Sequence, residues 1–233
     1  MANERHSHGP ASWETAAVAG LVACLLLVLG GPRLIAATVA LPSVQTVWSV
    51  YSREPVTPAA LSDAAAAMAA ANAWIRDGER EGDRGLLLLR LADWAQNPMA
   101  RSELLAAATD AAVSALTIAP GQPSVWARLA ELREQGGERD EALAALRMSM
   151  LSGSFAAALM EPRIEQGLRL LPLMAAETRS LLVRQIGLIW VIKPEYVASL
   201  SSRPEAAALV QEALNGLTET ELSQFQRLHG MKR

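Results

Sequence analysis

Residues 15–31 read TAAVAGLVACLLLVLGG and contain neither a charged nor a strongly polar side chain. As an α-helix this stretch would rise about 1.5 Å per residue and span roughly 26 Å, close to the ~30 Å hydrocarbon core of a bilayer. Trp13 lies just before it and Arg33 just after it, where an aromatic ring and a long cation suit the two membrane interfaces. We therefore predict an uncleaved transmembrane anchor at residues 13–33 that contacts lipid through residues 15–31.

Two other interpretations of this stretch stay open from the sequence. A cleaved signal peptide needs a basic leader and a small-residue cleavage site close to its apolar core. Here Glu4 and Glu14 accompany Arg5, and a suitable tripeptide at residues 38–40 (TVA) lies beyond Arg33. The remaining interpretation is the buried core helix of a soluble protein.

The chain stays apolar beyond Arg33, since residues 34–41 read LIAATVAL. A tilted span that reached the end of this run would place Arg33 in the bilayer, at a cost of up to ~3 kcal/mol. We therefore favour Arg33 at the interface. Residues 34–60 are then a juxtamembrane segment and linker, with Trp48 and Tyr51 at the membrane surface.

The charge balance excludes some classes of partner. The 233 residues include 21 Lys and Arg against 24 Asp and Glu, which gives a net charge of −3. Such a mixed, mildly acidic chain has no basic footprint for nucleic acid, so we expect no nucleic-acid partner. The single cysteine, Cys24, lies inside the apolar stretch, so the rest of the chain contains no internal disulfide.

The orientation of the anchor is poorly determined by the positive-inside rule, which counts Lys and Arg near the span. Arg5 stands on one side, and Arg33 and Arg53 on the other. By analogy with bacterial proteins of this layout, we expect a single-pass protein of the bacterial inner membrane, with its N-terminus cytoplasmic and its helical domain periplasmic.

The N-terminal tail, residues 1–12, is polar and broken by Gly9-Pro10, which predicts disorder. His6 and His8 offer imidazole ligands, but no further His, Cys or acidic cluster completes a metal-binding sphere. We therefore expect neither a metal nor a cofactor.

From Leu61 onward the chain reads as one helix after another, and no stretch shows the alternating pattern of a strand. The predicted fold class is all-α, with a single N-terminal transmembrane helix followed by an array of helical hairpins over residues 61–233. The predicted helices are about 63–77, 86–96, 98–118, 123–135, 140–151, 162–171, 177–192, 194–200, 204–215 and 219–229.

Short local signals refine this pattern. Residues 79–85 (EREGDRG) are predicted to be a charged loop. Two capping boxes, Ser202 with Glu205 and Thr218 with Glu221, mark the starts of the last two helices. Because the outer faces of these helices are polar, we predict that residues 203–229 form a hairpin that caps the array.

Residues 123–151 read PSVWARLAELREQGGERDEALAALRMSML. Trp126, Leu129 and Ala130 in the first half, with Ala142 and Leu146 in the second, have the spacing of a tetratricopeptide repeat, which this stretch resembles. The resemblance implies a helix–turn–helix in which large residues, Trp126 among them, fill the core and small ones let the backbones approach.

The resemblance weakens away from this unit. Steps of about 34 residues align Ala108, Ala142 and Ala176, but Pro98 and Pro162 break the frame on either side. It therefore covers about residues 90–190, as one good unit and one or two degenerate ones. Two architectures stay open, a tetratricopeptide-like solenoid and an irregular helical bundle.

Repeats of this family usually bind peptides on the concave face formed by their first helices, so the resemblance implies a partner-binding face at Ser124, Ala127, Glu131 and Glu134. The carboxylate clamp of the family needs Lys and Asn at such places, and Ala127 and Glu131 depart from it. An acidic groove would favour a basic or neutral protein partner. A solvated acidic face without a ligand is the alternative.

The sequence contains no G-x-x-x-x-G-K, G-x-S-x-G or H-E-x-x-H motif. We therefore expect that the protein is not an enzyme and has no small-molecule substrate. The favoured function is a membrane-anchored adaptor that presents a helical domain to protein partners in the cell envelope. The alternative is an accessory subunit of a larger membrane complex, for example in cell-envelope or polysaccharide export, that assembles through the anchor itself.

Overall fold

This computed structural model describes residues 11–230, and all regular structure within them is helical, which confirms the all-α prediction. The chain divides into two compact units, one ending at Asp77 and the other beginning at Gly78. The first unit contains α1 (Ala11–Tyr51) and α2 (Pro58–Trp74). The second contains α3 (Gly78–Trp94), α4 (Pro98–Ile118), α5 (Pro123–Gln135), α6 (Arg139–Ser152), α7 (Ala157–Leu170), a 3₁₀ turn (Leu171–Leu173), α8 (Ala176–Ile192), α9 (Pro194–Leu200), α10 (Pro204–Ala213) and α11 (Glu219–Gly230).

The first unit is built on α1, a helix of 41 residues. From Trp13 to Tyr51 it is long and apolar enough to cross a membrane. The helix does not end near Arg33 but continues through residues 34–51, which are predicted from the sequence to be part of a separate juxtamembrane segment. Pro32 and Pro42 each remove one backbone donor without interrupting the helix.

The end of α1 is fixed by a Schellman motif. Arg53 has a left-handed backbone (φ 59°), its N–H donates to the carbonyl of Val50 (3.2 Å), and the N–H of Glu54 donates to that of Ser49 (2.9 Å). A short linker follows, and α2 begins at Pro58 with the Thr57 hydroxyl accepting from the N–H of Ala60 at 3.3 Å. The helix therefore starts about five residues earlier than predicted, because proline suits the first helical position.

The second half of α1 packs on α2 through small side chains. Ala36 and Ala40 of α1 form a buried cluster with Ala71 of α2, and Val39 and Ile75 lie against it. Small residues at a helix contact let the two backbones approach closely. Residues 34–51 of α1 are therefore a structural part of the first unit.

The second unit begins with a close pair, α3 and α4. Gly78, Gly82 and Gly85 lie on one face of α3. A Cβ on Gly78 would stand 2.9 Å from both the carbonyl oxygen of Ala115 in α4 and the Cβ of Ala119, which directly follows α4. The predicted loop at 79–85 is wrong, because these glycines are in the helix. Glycine destabilises a helix locally, and the close packing that these glycines allow within the second unit offsets that loss of stability.

The hairpin of α5 and α6 has the expected core. Leu129, Ala130, Ala142 and Leu146 are buried in one cluster with residues of α3 and α4. Trp126 is only partly buried at its edge, and its indole N–H donates to the carbonyl of Pro120 at 2.7 Å. The structure thus contains the helical hairpin, while the tetratricopeptide-like array stays a prediction.

A second apolar cluster is formed by α7 to α10, with α11 at its edge. Its buried members include Ile164, Ile186 and Trp190. Trp190 meets the ring of Phe225 from α11 edge-on, with centroids 5.9 Å apart. The apolar run around Trp190 therefore lies largely inside the domain, although Val191 and Ile192 are exposed.

Of the two predicted capping boxes, one forms. The amide N–H of Thr218 donates to the Glu221 carboxylate at 2.8 Å, and the N–H of Glu221 donates to the Thr218 hydroxyl at 3.4 Å. At α10 the N-cap is Arg203, without a side-chain cap, so the predicted pairing of Ser202 and Glu205 is wrong. Pro204 occupies the first helical position there, so the N-cap lies one residue later than the predicted capping box would place it.

Candidate partner-binding site

The four residues predicted to bind a partner all lie on α5. Ser124 and Ala127 are partly buried, and Glu131 is exposed. Glu134, at the C-terminal end of the helix, is held by side chains of α7. The predicted face is therefore covered by the protein's own α7 at one end and open at Glu131.

The contact that covers Glu134 is a charge-assisted network. Its carboxylate accepts hydrogen bonds from Arg169 Nε (2.7 Å), Arg169 Nη2 (2.8 Å) and Gln166 Nε2 (3.1 Å). The Arg169 hydrogen bond holds the pKa of Glu134 below its ordinary value. A partner that used Glu134 would have to displace Arg169.

A buried guanidinium joins α7 to the preceding hairpin. Arg163 is completely buried, and its Nε donates to the Ser149 hydroxyl (3.0 Å), Nη2 to the Ser149 carbonyl (2.5 Å) and Nη1 to the carbonyl of Gly153 (2.9 Å). Nη1 also donates to Gln185 Oε1 of α8 at 3.3 Å. Burial lowers the pKa of Arg163 to about 10, so the side chain remains charged at neutral pH while neutral oxygens surround it.

A third polar group joins α7 to the segment around α9. Glu165 accepts hydrogen bonds from Tyr196 Oη (2.8 Å) and Arg203 Nη1 (2.7 Å). The Arg203 hydrogen bond holds the pKa of Glu165 below its ordinary value, and burial raises the pKa of the Tyr196 hydroxyl. These contacts fix the position of α9 and α10 relative to α7.

A concave apolar surface lies between α9, α10 and α11. The helices α10 and α11 pack on α9 and leave a cavity of about 440 Å³ between them. We call it the C-terminal cavity. Its lining residues are Ser201, Ala207, Val210, Gln211, Leu214, Asn215, Leu222, Phe225 and His229. The predicted capping hairpin is therefore not a closed pair of helices but two walls of a groove.

The lining combines apolar walls with amide groups and carries no Asp, Glu, Lys or Arg. Leu214 and Val210 are buried in the wall, whereas Leu222 is 40% exposed. The volume falls in the range of ~300–1,000 Å³ that ligand pockets typically have. The cavity therefore suits an uncharged, apolar ligand surface.

A Ser–His contact stands at one side of the C-terminal cavity. Ser201 Oγ lies 2.8 Å from His229 Nδ1 and 2.7 Å from the Ala198 carbonyl oxygen. Because a carbonyl oxygen can only accept, the Ser201 hydroxyl donates its hydrogen bond to the Ala198 carbonyl. His229 Nδ1 then donates a hydrogen bond to the Ser201 oxygen. This arrangement is the reverse of an activated serine nucleophile, in which the imidazole accepts the hydroxyl proton. Together with the stacking of His229 on Phe225, it positions α11 against α9.

A more polar cleft of about 500 Å³ lies between the start of α4 and the end of α5. Its cations are engaged within the cleft wall, because Arg101 donates to Gln135 (3.1 Å) and Arg133 to Glu138 (2.9 Å). Among residues 11–230, no three His, Cys, Asp or Glu side chains are grouped so that they could hold a metal ion. His6 and His8 lie outside the described residues.

Neither the C-terminal cavity nor the Arg163 network is predictable from the sequence, for different reasons. The cavity depends on the spacing of α10 and α11, which the helical pattern of either one does not encode. In the sequence Arg163 is one of 21 basic residues, and nothing local separates it from a surface arginine. The only hint is its position within apolar helical spacing, between Met160 and Ile164.

Comparison of the chain with protein-family models, with curated proteins and with solved structures gives no match.

Proposed function

We propose that the protein is a membrane-anchored adaptor, which binds a protein partner in the C-terminal cavity. The observation that carries the proposal is that open cavity, whose size and apolar lining suit a bound ligand surface. Support also comes from α1, whose length and apolar composition suit a membrane anchor. The proposal retains the topology expected from the sequence, with the helical domain on the periplasmic side of a bacterial inner membrane.

The ligand class follows from the lining. Val210, Leu214 and Phe225 present apolar walls from two helices, while Gln211 and Asn215 offer amide donors and acceptors. An amphipathic helix that places apolar side chains in such a groove is a common mode of peptide recognition. We therefore assign the cavity to an uncharged amphipathic segment of an envelope protein rather than to a small-molecule substrate.

Co-purification of the full-length chain in mild detergent tests this function. Leu222→Asp introduces a charge at an exposed point of the cavity wall and should abolish partner capture. Val113→Asp is the matched control, because Val113 is 41% exposed on α4, outside that cavity, and should leave capture unchanged. Equal capture by wild type and Leu222→Asp would contradict the proposed site.

Exchange of the anchor distinguishes the adaptor from an accessory subunit that assembles through its membrane helix. Residues 13–33 are replaced by an unrelated apolar helix of equal length. The adaptor should still capture its partner, because the cavity is intact. Loss of capture in this chimera, with normal membrane insertion, would instead favour the accessory-subunit function.

A further inference from the structure

The segment of α1 beyond Arg33 carries a solvent-exposed apolar stripe. Leu34, Leu41 and Trp48 are seven residues apart, and Ala37 and Val44 stand between them at the heptad spacing. We call these five residues the α1 stripe. The four large side chains are 58–71% exposed, whereas Ala36, Ala40 and Ser43 on the neighbouring face are buried. The stripe is therefore a surface that the packing of α2 on α1 leaves open.

The stripe cannot lie wholly within a bilayer together with the anchor. The apolar stretch from Trp13 to Tyr51 has 39 residues and is about 58 Å long as a helix, roughly twice the hydrocarbon thickness. If residues 15–31 occupy the membrane, the α1 stripe stands outside it. Large apolar side chains in such a row are costly to leave in water.

A second copy of this chain fits the stripe better than a lipid surface does. Helices that lie on membranes are usually rich in Lys and Arg on their polar face, and residues 34–52 contain no charged residue. The same lack of charge means that two copies would meet without repulsion. A heptad stripe is the pattern with which two helices pair.

The pairing face continues into the membrane. The same heptad positions, followed back through residues 15–31, fall on Gly30, Leu27, Ala23, Gly20 and Ala16, which are exposed and, apart from Leu27, small. Small residues let transmembrane helices approach closely. Because anchoring gives two copies the same direction and depth, their stripes would meet in parallel and in register.

We propose that the protein forms a parallel homodimer through α1, with small residues at the contact in the membrane and the α1 stripe at the contact outside it. The dimer is independent of the C-terminal cavity. It would present two copies of the helical domain on one membrane surface, which raises the apparent affinity for a multivalent partner.

Disulfide scanning of the full chain in its membrane tests the dimer. In a Cys24→Ala background, single cysteines replace Leu41, Val44 or Trp48 on the stripe, and Ile35 or Gln45 beside it. Oxidation with copper phenanthroline should cross-link the three stripe variants rapidly and the two neighbours slowly. Equal rates at all five positions, or no cross-linking at any, would overturn the proposal.

Dilution with excess lipid distinguishes cross-linking within a stable dimer from cross-linking between copies that collide at random. Cross-linking at Val44 should persist when the membranes are diluted with added phospholipid, and the uncross-linked chain in lipid nanodiscs should have the mass of two copies. Trp48→Glu should convert it to one copy, whereas Gln45→Glu should not. A single copy in nanodiscs, or a fluorophore at Val44 that reports contact with lipid, would show that a membrane surface covers the stripe and would overturn the dimer.

Discussion

Arg163 is a buried cation that joins several elements of the second unit. Its guanidinium joins α6, the turn after it and α8, and it lies between the two apolar clusters. A buried cation without a carboxylate partner is stable only while its donors are satisfied by oriented oxygens. Ser149 helps to orient them, because its hydroxyl accepts from Arg163 and donates to the Pro123 carbonyl at 2.6 Å.

Arg163→Met should strongly destabilise the domain. The substitution leaves the carbonyls of Ser149 and Gly153 and the Gln185 side chain without their donor, at ~1–3 kcal/mol for each buried group that loses its partner. We expect a loss of about 3–5 kcal/mol in the free energy of unfolding, measured by denaturant titration of the full chain in detergent. Arg147→Met, at an exposed position of α6, is the control and should change it by less than about 0.5 kcal/mol. Equal stability of the two variants would contradict the role assigned to Arg163.

At the scale of the element, the pairing of α3 with α4 depends on glycine. Gly78→Ala would place a Cβ 2.9 Å from the carbonyl oxygen of Ala115, and a backbone atom cannot move away as a long side chain can. We expect a loss of about 1–3 kcal/mol, seen as a lower midpoint of thermal unfolding. Gly187→Ala in α8 is the matched control. Its Cβ would stand 3.6 Å from its nearest neighbour, so the variant should be as stable as wild type or up to about 1 kcal/mol more stable. The opposite order of the two midpoints would contradict this account of the α3–α4 contact.

Two of the ion pairs that hold α7 in place, Glu134 with Arg169 and Glu165 with Arg203, make the domain sensitive to acid. The pKa values of Glu134 and Glu165 are lowered in the folded state, so each contributes stability that is present above the ordinary carboxyl pKa of 4.5. That contribution is lost as the pH falls below 4.5 and through the lowered values. Both pairs are partly exposed, so each contributes no more than about 1 kcal/mol.

The double variant Glu134→Gln, Glu165→Gln should therefore be less stable than wild type at pH 7 and more nearly equal to it near pH 3. Thermal unfolding at a series of pH values measures this difference. Glu103→Gln, at an exposed position of α4, should follow wild type throughout. A double variant whose stability difference from wild type does not change with pH would show that these carboxylates are not linked to folding.

Of the five described helices that begin with proline, four start where the sequence predicts, and α2, which begins at Pro58, is the exception. The predicted starts at Pro98, Pro123, Pro194 and Pro204 agree with the structure, since proline is tolerated at the first helical position and rarely beyond it. The start of α3 could not be predicted in the same way. Glycine and a dense run of charges favour a loop locally, whereas in the structure residues 78–85 are helical and their glycines pack closely on α4 and α5. Pro162 misleads in the opposite direction, because it lies inside α7 rather than at its start.

At the scale of the whole molecule, the sequence predicts a long apolar helix and a helical domain. It does not predict how the helices are distributed between the two compact units. The structure groups α2 with α1, while the sequence analysis places it in the domain that starts at residue 61. The reason is that the Ala-rich sequence of α2 shows no distinct apolar face. The residues it packs against, Ala36 and Ala40, cannot be distinguished within the apolar sequence of α1. The C-terminal cavity could not be predicted from the sequence either, because it is formed by the relative placement of three helices and not by a sequence motif.

The central claim is that the C-terminal cavity receives an envelope protein, and site-specific photo-cross-linking in intact membranes tests it most directly. A photoreactive amino acid replaces Leu222 in the cavity wall or Val113 on the exposed face of α4. The account predicts a discrete adduct with another protein from Leu222 and none from Val113. No protein adduct from Leu222, or the same adducts from both positions, would contradict it.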